Sequence, residues 1–360
     1  MYYNNLADFY KKKFGFRLAK LAFNGGFTCP NRINGARGCI FCTGSAENAS
    51  ESSVSLYDQY LKETEIVKNK WPQAKYIAYF GSFTNTFDSV ENLKKRFEEV
   101  LTFPDVVGLS IGTRCDSISD ECFKYLCDLN KRTYLTVELG LQSSFDSTLK
   151  FINRGHDIAS FDSMVKKLKS ANINVVVHII DGLPNEDENM MIETIKHLNM
   201  LHIDGIKIHN LFIAKDTVLG DMYINKPWKL MSMEEYIDIV SKQIAVLDPN
   251  IVIHRLTGDP VKDELIAPEW ATRKIDILNG VVKNLKKLGL EPLIIYLTPL
   301  FKNTDGKLYC SSNSNHYETI INNHVKDALS FLNNDYANYV INKGLTYLVY
   351  EDNIYFMDIN

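Results

Sequence analysis

Six short apolar runs, separated by amphipathic stretches, constrain this chain more than any other feature. They are Leu18–Phe23, Tyr76–Phe80, Val106–Ile111, Tyr134–Leu139, Val175–Ile180 and Gly205–His209. Helical periodicity falls between or after them, over Val90–Leu101, Asp120–Leu129, Ile158–Ser170, Asn189–Leu201 and Met233–Leu247. Strands that alternate with helices at this spacing predict a parallel sheet. The run Val175-Val176-Val177-His178-Ile179-Ile180 predicts a strand buried on both faces. About six such units in succession predict a full or partial barrel, here a (β/α)6 barrel of the TIM type. The expected class is α/β, with a small C-terminal α+β extension. That extension reads as a helix over Tyr317–Leu332 and a hairpin formed by Leu345–Tyr350 and Ile354–Met357.

Composition narrows the function classes. A chain of 360 residues suits one large α/β domain with an appendage, or two domains. A net charge of −4 gives no global signature of a nucleic-acid binder. No run approaches the roughly 18 apolar residues of a membrane helix, so no membrane contact is expected. Local charge is less even: Lys11, Lys12, Lys13, Arg17 and Lys20 form a basic N-terminal stretch, and Arg32 and Arg37 follow. These residues make either a solvated face or a phosphate-contacting rim beside an active site.

The chemistry is concentrated in one loop. Cys29, Cys39 and Cys42 follow the first strand with the spacing C-x9-C-x2-C. Three thiolates can hold three corners of a [4Fe–4S] cube and leave the fourth iron open to a small molecule, whereas electron-carrying clusters usually have four protein ligands. Buried structural cysteines and a zinc site completed by a distant ligand are the alternatives. Met1-Tyr2-Tyr3-Asn4-Asn5 is not followed by an apolar segment, so a cytoplasmic chain with reduced thiols is expected. Polar motifs recur at the end of each strand: Gly81-Ser82-Phe83, Gly112-Thr113-Arg114, Glu138 to Gln142, Asp181-Gly182 and His209-Asn210. In a parallel barrel these ends share one mouth, where active sites form.

With these motifs in order, the chain resembles the radical S-adenosylmethionine (SAM) enzymes. More narrowly, it is similar to small bacterial relatives of the elongator catalytic subunit. The likeness rests on Gly26-Phe27-Thr28-Cys29-Pro30-Asn31-Arg32, Gly38-Cys39-Ile40-Phe41-Cys42, Phe83-Thr84-Asn85-Thr86, Gly112-Thr113-Arg114 and Val137 to Ser143. It continues through Arg154-Gly155-His156, Gly182-Leu183-Pro184, Ile206 to His209 and Arg255 to Asp259. It covers about residues 5 to 300. Cys115, where the family is expected to place proline, and the long tail after Phe301 depart from it. No acetyltransferase signature is present. The resemblance implies a barrel domain over residues 1–300, with the cysteine loop and basic segment, and an extension over 301–360.

It also implies a mechanism and a set of roles. A [4Fe–4S] cluster on Cys29, Cys39 and Cys42 would bind SAM at its open iron and cleave it reductively to a 5′-deoxyadenosyl radical. Phe41, Gly81 and Ser82 would flank SAM, the turn from Gly81 to Phe83 offering backbone acceptors to its amino group. Glu138, Gln142 and His209 would contact the cofactor, and Arg154 would pair with its carboxylate. Gly182 would let backbone approach the adenine. His178, Lys207, His209 and Arg255 are further candidates for substrate contact, and Tyr79, Phe80 and Phe83 could stack on a base. Cys115 is a conceivable thiol hydrogen donor. A low-potential donor such as flavodoxin or ferredoxin would supply the electron. The resemblance implies tRNA as the substrate, at the C5 side chain of the wobble uridine, with a carboxymethylaminomethyl-type group. A small molecule such as a tetrapyrrole and a zinc-stabilised, non-catalytic tRNA-binding protein are the competing readings.

Overall fold

The structure, a computed structural model, describes residues 2–43 and 50–288 together with the backbone of residues 300–302, 308–310, 346–350 and 353–357. The chain separates into two units, Met1–Leu293 and Ile294–Asn360.

The first unit begins with α1 (Leu6–Phe14) and β1 (Leu18–Phe23). The cysteine loop and α2 (Leu56–Lys70) follow, then β2 (Lys75–Phe80), α3 (Val90–Leu101), β3 (Val106–Thr113), α4 (Asp120–Asn130) and β4 (Tyr134–Gln142). Next come α5 (Asp146–Phe151), α6 (Ile158–Ser170), β5 (Asn174–Asp181), α7 (Glu188–Met200) and β6 (Gly205–Asn210). The unit closes with β7 (Ile213–Ala214), α8 (Val218–Asn225), α9 (Met233–Val246), β8 (Val252–Arg255), β9 (Leu265–Ala267) and α10 (Lys274–Lys287). Seven strands form one parallel sheet in the order β1-β2-β3-β4-β5-β6-β8, and β1 and β8 do not pair, so the sheet is a curled half-barrel. The strand β8 extends the six expected from sequence. It is only four residues long and ends in His254 and Arg255, which weakens its apolar signal.

Local chemistry sets the helix starts. Ser55, Ser89, Ser119, Asp157, Asp187, Thr217 and Ser232 each cap a helix, their side-chain oxygens accepting from the third helical amide. Alternation along the strands sets the layers. Leu21, Leu109, Ile111, Val137, Leu139, Val175, Val177, Ile206 and Ile208 are buried in one core under the helices. Lys20, His178 and Lys207 alternate with these residues and line the cleft on the concave side. The reading of Val175–Ile180 as apolar-buried on both faces is corrected accordingly, since His178 and Ile180 face a cleft.

At the N-terminal ends of the strands, Tyr10 of α1 packs with Leu18 and Ile77, bordered by Phe14 and Tyr134. Asn4 and Asn5 pair with β8 through Ile253, and Leu6 reaches the cleft. This segment therefore closes the end opposite the cysteine loop. The basic stretch, read as either a solvated face or a rim beside the active site, is divided among different surroundings. Lys11, Lys12 and Lys13 are exposed on α1, Arg17 stacks on Trp71, and Lys20 turns into the barrel. Arg32 donates to the Cys42 carbonyl at 2.6 Å, and Arg37 is paired with Asp221 at 2.5 Å.

In the second unit, β10 (Leu300–Lys302) pairs antiparallel with β11 (Leu308–Cys310), and β12 (Thr346–Tyr350) with β13 (Asn353–Met357). The last pair is the expected hairpin. The expected helix over Tyr317–Leu332 lies outside the described residues. No described helix is long and apolar enough to cross a membrane.

Candidate active site

The cysteine loop is tied down on several sides. Gly38 adopts φ +85°, and a side chain there would meet Arg32. Asn153 donates to the Gly38 carbonyl at 2.8 Å, Ile40 donates to Ile152 at 3.1 Å, and Leu219 donates to Ile40 at 2.8 Å. Asn31 Nδ2 and Arg154 Nη1 each approach Cys39 Sγ at 3.5 Å. Arg114 lies in the same neighbourhood. Burial works against its charge, but its bonds to Asp116, the Asp116 charge, and Cys29 and Cys39 together raise its pKa. Its Nη1 is buried without a hydrogen-bond partner among the described residues.

These observations fit an anionic iron–sulfur cluster: three thiols on one loop, two buried guanidinium groups, and a cationic donor still without an acceptor. Among the described residues, no three Cys, His, Asp or Glu side chains are gathered as a single metal ion would require.

Deeper in the barrel lies a charge cluster that the sequence did not assemble. The Glu138 carboxylate, on β4, has a fully buried side chain. It accepts from Lys20 on β1, from Lys207 on β6 at 2.5 Å, from Ser110 on β3 at 2.5 Å, and meets His178 Nε2 on β5 at 2.7 Å. Burial alone would raise the Glu138 pKa; the two ammonium groups and His178 instead hold it well below the ordinary value. Burial and the Lys207 charge push His178 down to about 4. Burial, with the neighbouring histidine and cations, likewise holds His209 well below the ordinary value. The Lys207 ammonium also donates to Tyr79 Oη at 3.1 Å and lies 4.5 Å from that ring's centroid.

A cleft of about 480 Å³ runs from the cysteine loop to this floor. That size falls in the range of cofactor and small-ligand sites. Its wall includes Phe41, Cys42, Gly81, Ser82, Gln142 and His209, so these expected site residues share one cavity. Asn85 shapes the turn after β2 by donating to the carbonyls of Phe80, Ser82 and Gly112 at 3.1, 2.9 and 2.7 Å.

The structure gives three expected site residues other partners. The Glu138 oxygens are enclosed by Lys20, Lys207, Ser110 and His178. Arg154 does not offer an open fork: Nε and Nη2 donate to the Gly140 carbonyl at 3.0 and 2.5 Å while Nη1 faces Cys39. Gly182, at φ +85°, packs against Met231 outside the cleft. Cys115 is buried away from the cleft, its thiol pushed up to about 12 by burial and Asp116. Sequence reasoning missed Lys20, His254, Ser110 and Asn85 as parts of the interior. Lys20 was detectable, since a lysine alternating with Ala19, Leu21 and Phe23 points to the face opposite the apolar one.

The Radical SAM superfamily profile matches residues 26–198, and the Radical_SAM C-terminal domain profile matches residues 203–287. The Bacillus subtilis protein YtqA is 40% identical over 291 residues, covering 80% of this chain and 90% of its own length. Escherichia coli YhcC is 30% identical over 267 residues, covering 73% of this chain and 85% of its own length. Elongator complex protein 3 of Saccharomyces cerevisiae is 28% identical over 187 residues, covering 51% of this chain but only 31% of its own length. Among solved structures, the archaeal Methanocaldococcus infernus Elp3 with an N-terminal deletion superposes with a TM-score of 0.58 at 19% identity. That match covers 76% of this chain and 64% of the other, and it speaks for the fold. The chain belongs to the radical SAM superfamily, and it is accordingly an iron–sulfur, SAM-dependent enzyme.

Proposed function

We propose that this enzyme holds a [4Fe–4S] cluster on Cys29, Cys39 and Cys42, binds SAM in the upper cleft, and remodels the C5 side chain of the wobble uridine in tRNA. When bound, the cluster and SAM supply a carbon radical able to take hydrogen from an unactivated carbon. The observation that carries the reading is the cleft itself: it leads from Cys42, past Tyr79 and Phe83, to a cationic floor. This volume suits SAM and one projecting group rather than a stretch of polynucleotide, and base flipping is how enzymes bring a single nucleotide into such a site. Phe41, Gly81, Ser82 and Gln142 would position SAM. Arg154 and Asn31 would stabilise the Cys39 thiolate, because charged donors strengthen sulfur-centred negative charge. The choice of tRNA rests on the resemblance to the elongator catalytic subunit. The basic segment on α1 lends it no support, since it lies at the other end of the barrel.

The test is anaerobic reconstitution with iron and sulfide, then dithionite and SAM, with and without tRNA, measuring 5′-deoxyadenosine. A flavodoxin or ferredoxin would replace dithionite in the cell. About four irons per chain and tRNA-stimulated product are expected. Product stimulated by a carboxylate-bearing small molecule such as a tetrapyrrole, and not by tRNA, would move the substrate assignment there. Zinc near one equivalent with no brown colour would overturn the cluster.

A further inference from the structure

The charges at the cleft floor do not balance. Lys20 and Lys207 share the single carboxylate of Glu138. Arg255 on β8 has Asp259 as its nearest carboxylate, at 4.0 Å, and Asp259 is already held by Lys274 at 3.1 Å. Among the described residues, the three cationic side chains that line the cleft, Lys20, Lys207 and Arg255, therefore have one whole carboxylate, Glu138, and a distant share of a second, Asp259. Lys207 and Arg255 are register neighbours on β6 and β8, and both line the cleft. Around them, His209 Nε2 and His254 Nδ1 are buried without hydrogen-bond partners among the described residues. An ammonium has three donors, and Lys207 uses two of them on Glu138 and Tyr79, leaving one. Buried cations and polar atoms left in this state call for an anion to complete them.

Position decides which anion. Lys20 and Lys207 sit two residues below Ala22 and His209 on their strands, about 6–7 Å further from the mouth. A phosphodiester backbone remains at the mouth, whereas a side chain projecting past SAM can reach the floor. A guanidinium fork beside an ammonium matches a carboxylate.

We propose that Lys207 and Arg255, with His209 and Lys20 around them, form a subsite for a substrate carboxylate at the floor of the cleft. The proposal deepens the reading above, with which it shares the cleft, by naming the chemical group that the substrate must carry. In the proposed arrangement SAM would sit at the upper end of the cleft beside Cys42 and leave this floor to the substrate.

The test separates the subsite from the tRNA assignment. In the first arm, acetate and acetamide are titrated at constant ionic strength into the cluster-reconstituted, SAM-loaded enzyme while the melting temperature is followed. Acetate is expected to raise it by about 1–3 °C and acetamide to leave it unchanged. Arg255→Gln, on a half-exposed side chain at the sheet edge, and Lys207→Met are each expected to abolish the acetate shift. Equal shifts with acetate and acetamide, no shift with acetate, or an acetate shift that survives both substitutions overturns the subsite. In the second arm, 5-carboxymethylaminomethyluridine and 5-aminomethyluridine are compared by calorimetry with the same enzyme. The carboxylate form is expected to bind about 10–100-fold more tightly, and Arg255→Gln to erase the difference. Failure of both nucleosides to bind, with the acetate arm positive, leaves the subsite standing and removes the uridine assignment. Equal binding of the two nucleosides overturns the subsite.

Discussion

Glu138 connects four strands through one carboxylate, so its replacement tests whether the interior is a structural frame or a cofactor contact. In Glu138→Gln, two buried ammonium groups lose their counter-charge. Removing one partner of a buried pair costs about 3–5 kcal/mol, because the other charge stays buried. The expected outcome is a loss of that order in denaturant unfolding, with SAM affinity of the folded fraction unchanged. A fall in SAM affinity at unchanged stability would restore Glu138 to the cofactor site. Arg154→Lys addresses the cysteine loop. A lysine cannot bond the Gly140 carbonyl twice and reach Cys39 as well. Outer-shell partners of metal ligands are typically worth 10–100-fold in affinity, so cluster retention against a chelator is expected to fall by about that factor. Retention equal to wild type would make the Cys39 contact incidental.

Among the elements, β5 carries two titratable groups with opposite consequences. His178 faces the cleft and is held neutral, while Asp181 at the strand's end is buried against Gln243. Burial, with the nearby Glu186 charge, outweighs the Gln243 bond and raises Asp181 from its ordinary 3.8 to about 7. A carboxyl raised by folding stabilises fully below pH 3.8, and that contribution is lost as pH rises towards 7. His178 acts in the other sense: folding lowers it from 6.5 to about 4, so its contribution is present above 6.5 and is lost as pH falls towards 4. Asp181→Asn removes the first effect and offers an amide to Gln243 Oε1, which has no partner among the described residues. Its stability relative to wild type is therefore expected to improve by about 1–3 kcal/mol between pH 4 and pH 8. A pH-independent difference in chemical unfolding would refute the assignment. The strands and most helices flanking them were legible at this scale, because apolar periodicity and Ser, Thr or Asp caps are local signals. The four-residue β8 and the plug formed by α1 were not, since each depends on partners distant in the chain.

At the scale of the whole molecule, the cysteine loop, the cleft and the charge cluster all belong to the unit Met1–Leu293. A chain ending at Leu293 is expected to load iron and sulfide and to cleave SAM slowly without substrate. Loss of cluster binding in a truncated chain that remains folded by circular dichroism would show that residues 294–360 complete the site. The sequence by itself determined the parallel α/β architecture and the three thiols. Both are written in short-range spacing: period two in strands, the 3.6-residue period in helices, and C-x9-C-x2-C in one loop. It could not determine which polar strand residues meet. Lys20, Ser110, Glu138, His178, Lys207 and Arg255 come from six strands spread over more than two hundred residues, and only the curl of the sheet brings them together. That curl makes Glu138 the counter-charge of two lysines and turns Arg154 towards Cys39. The reason is physical: a buried charge takes the partner that tertiary packing places beside it, and residue spacing along the chain does not encode that partner.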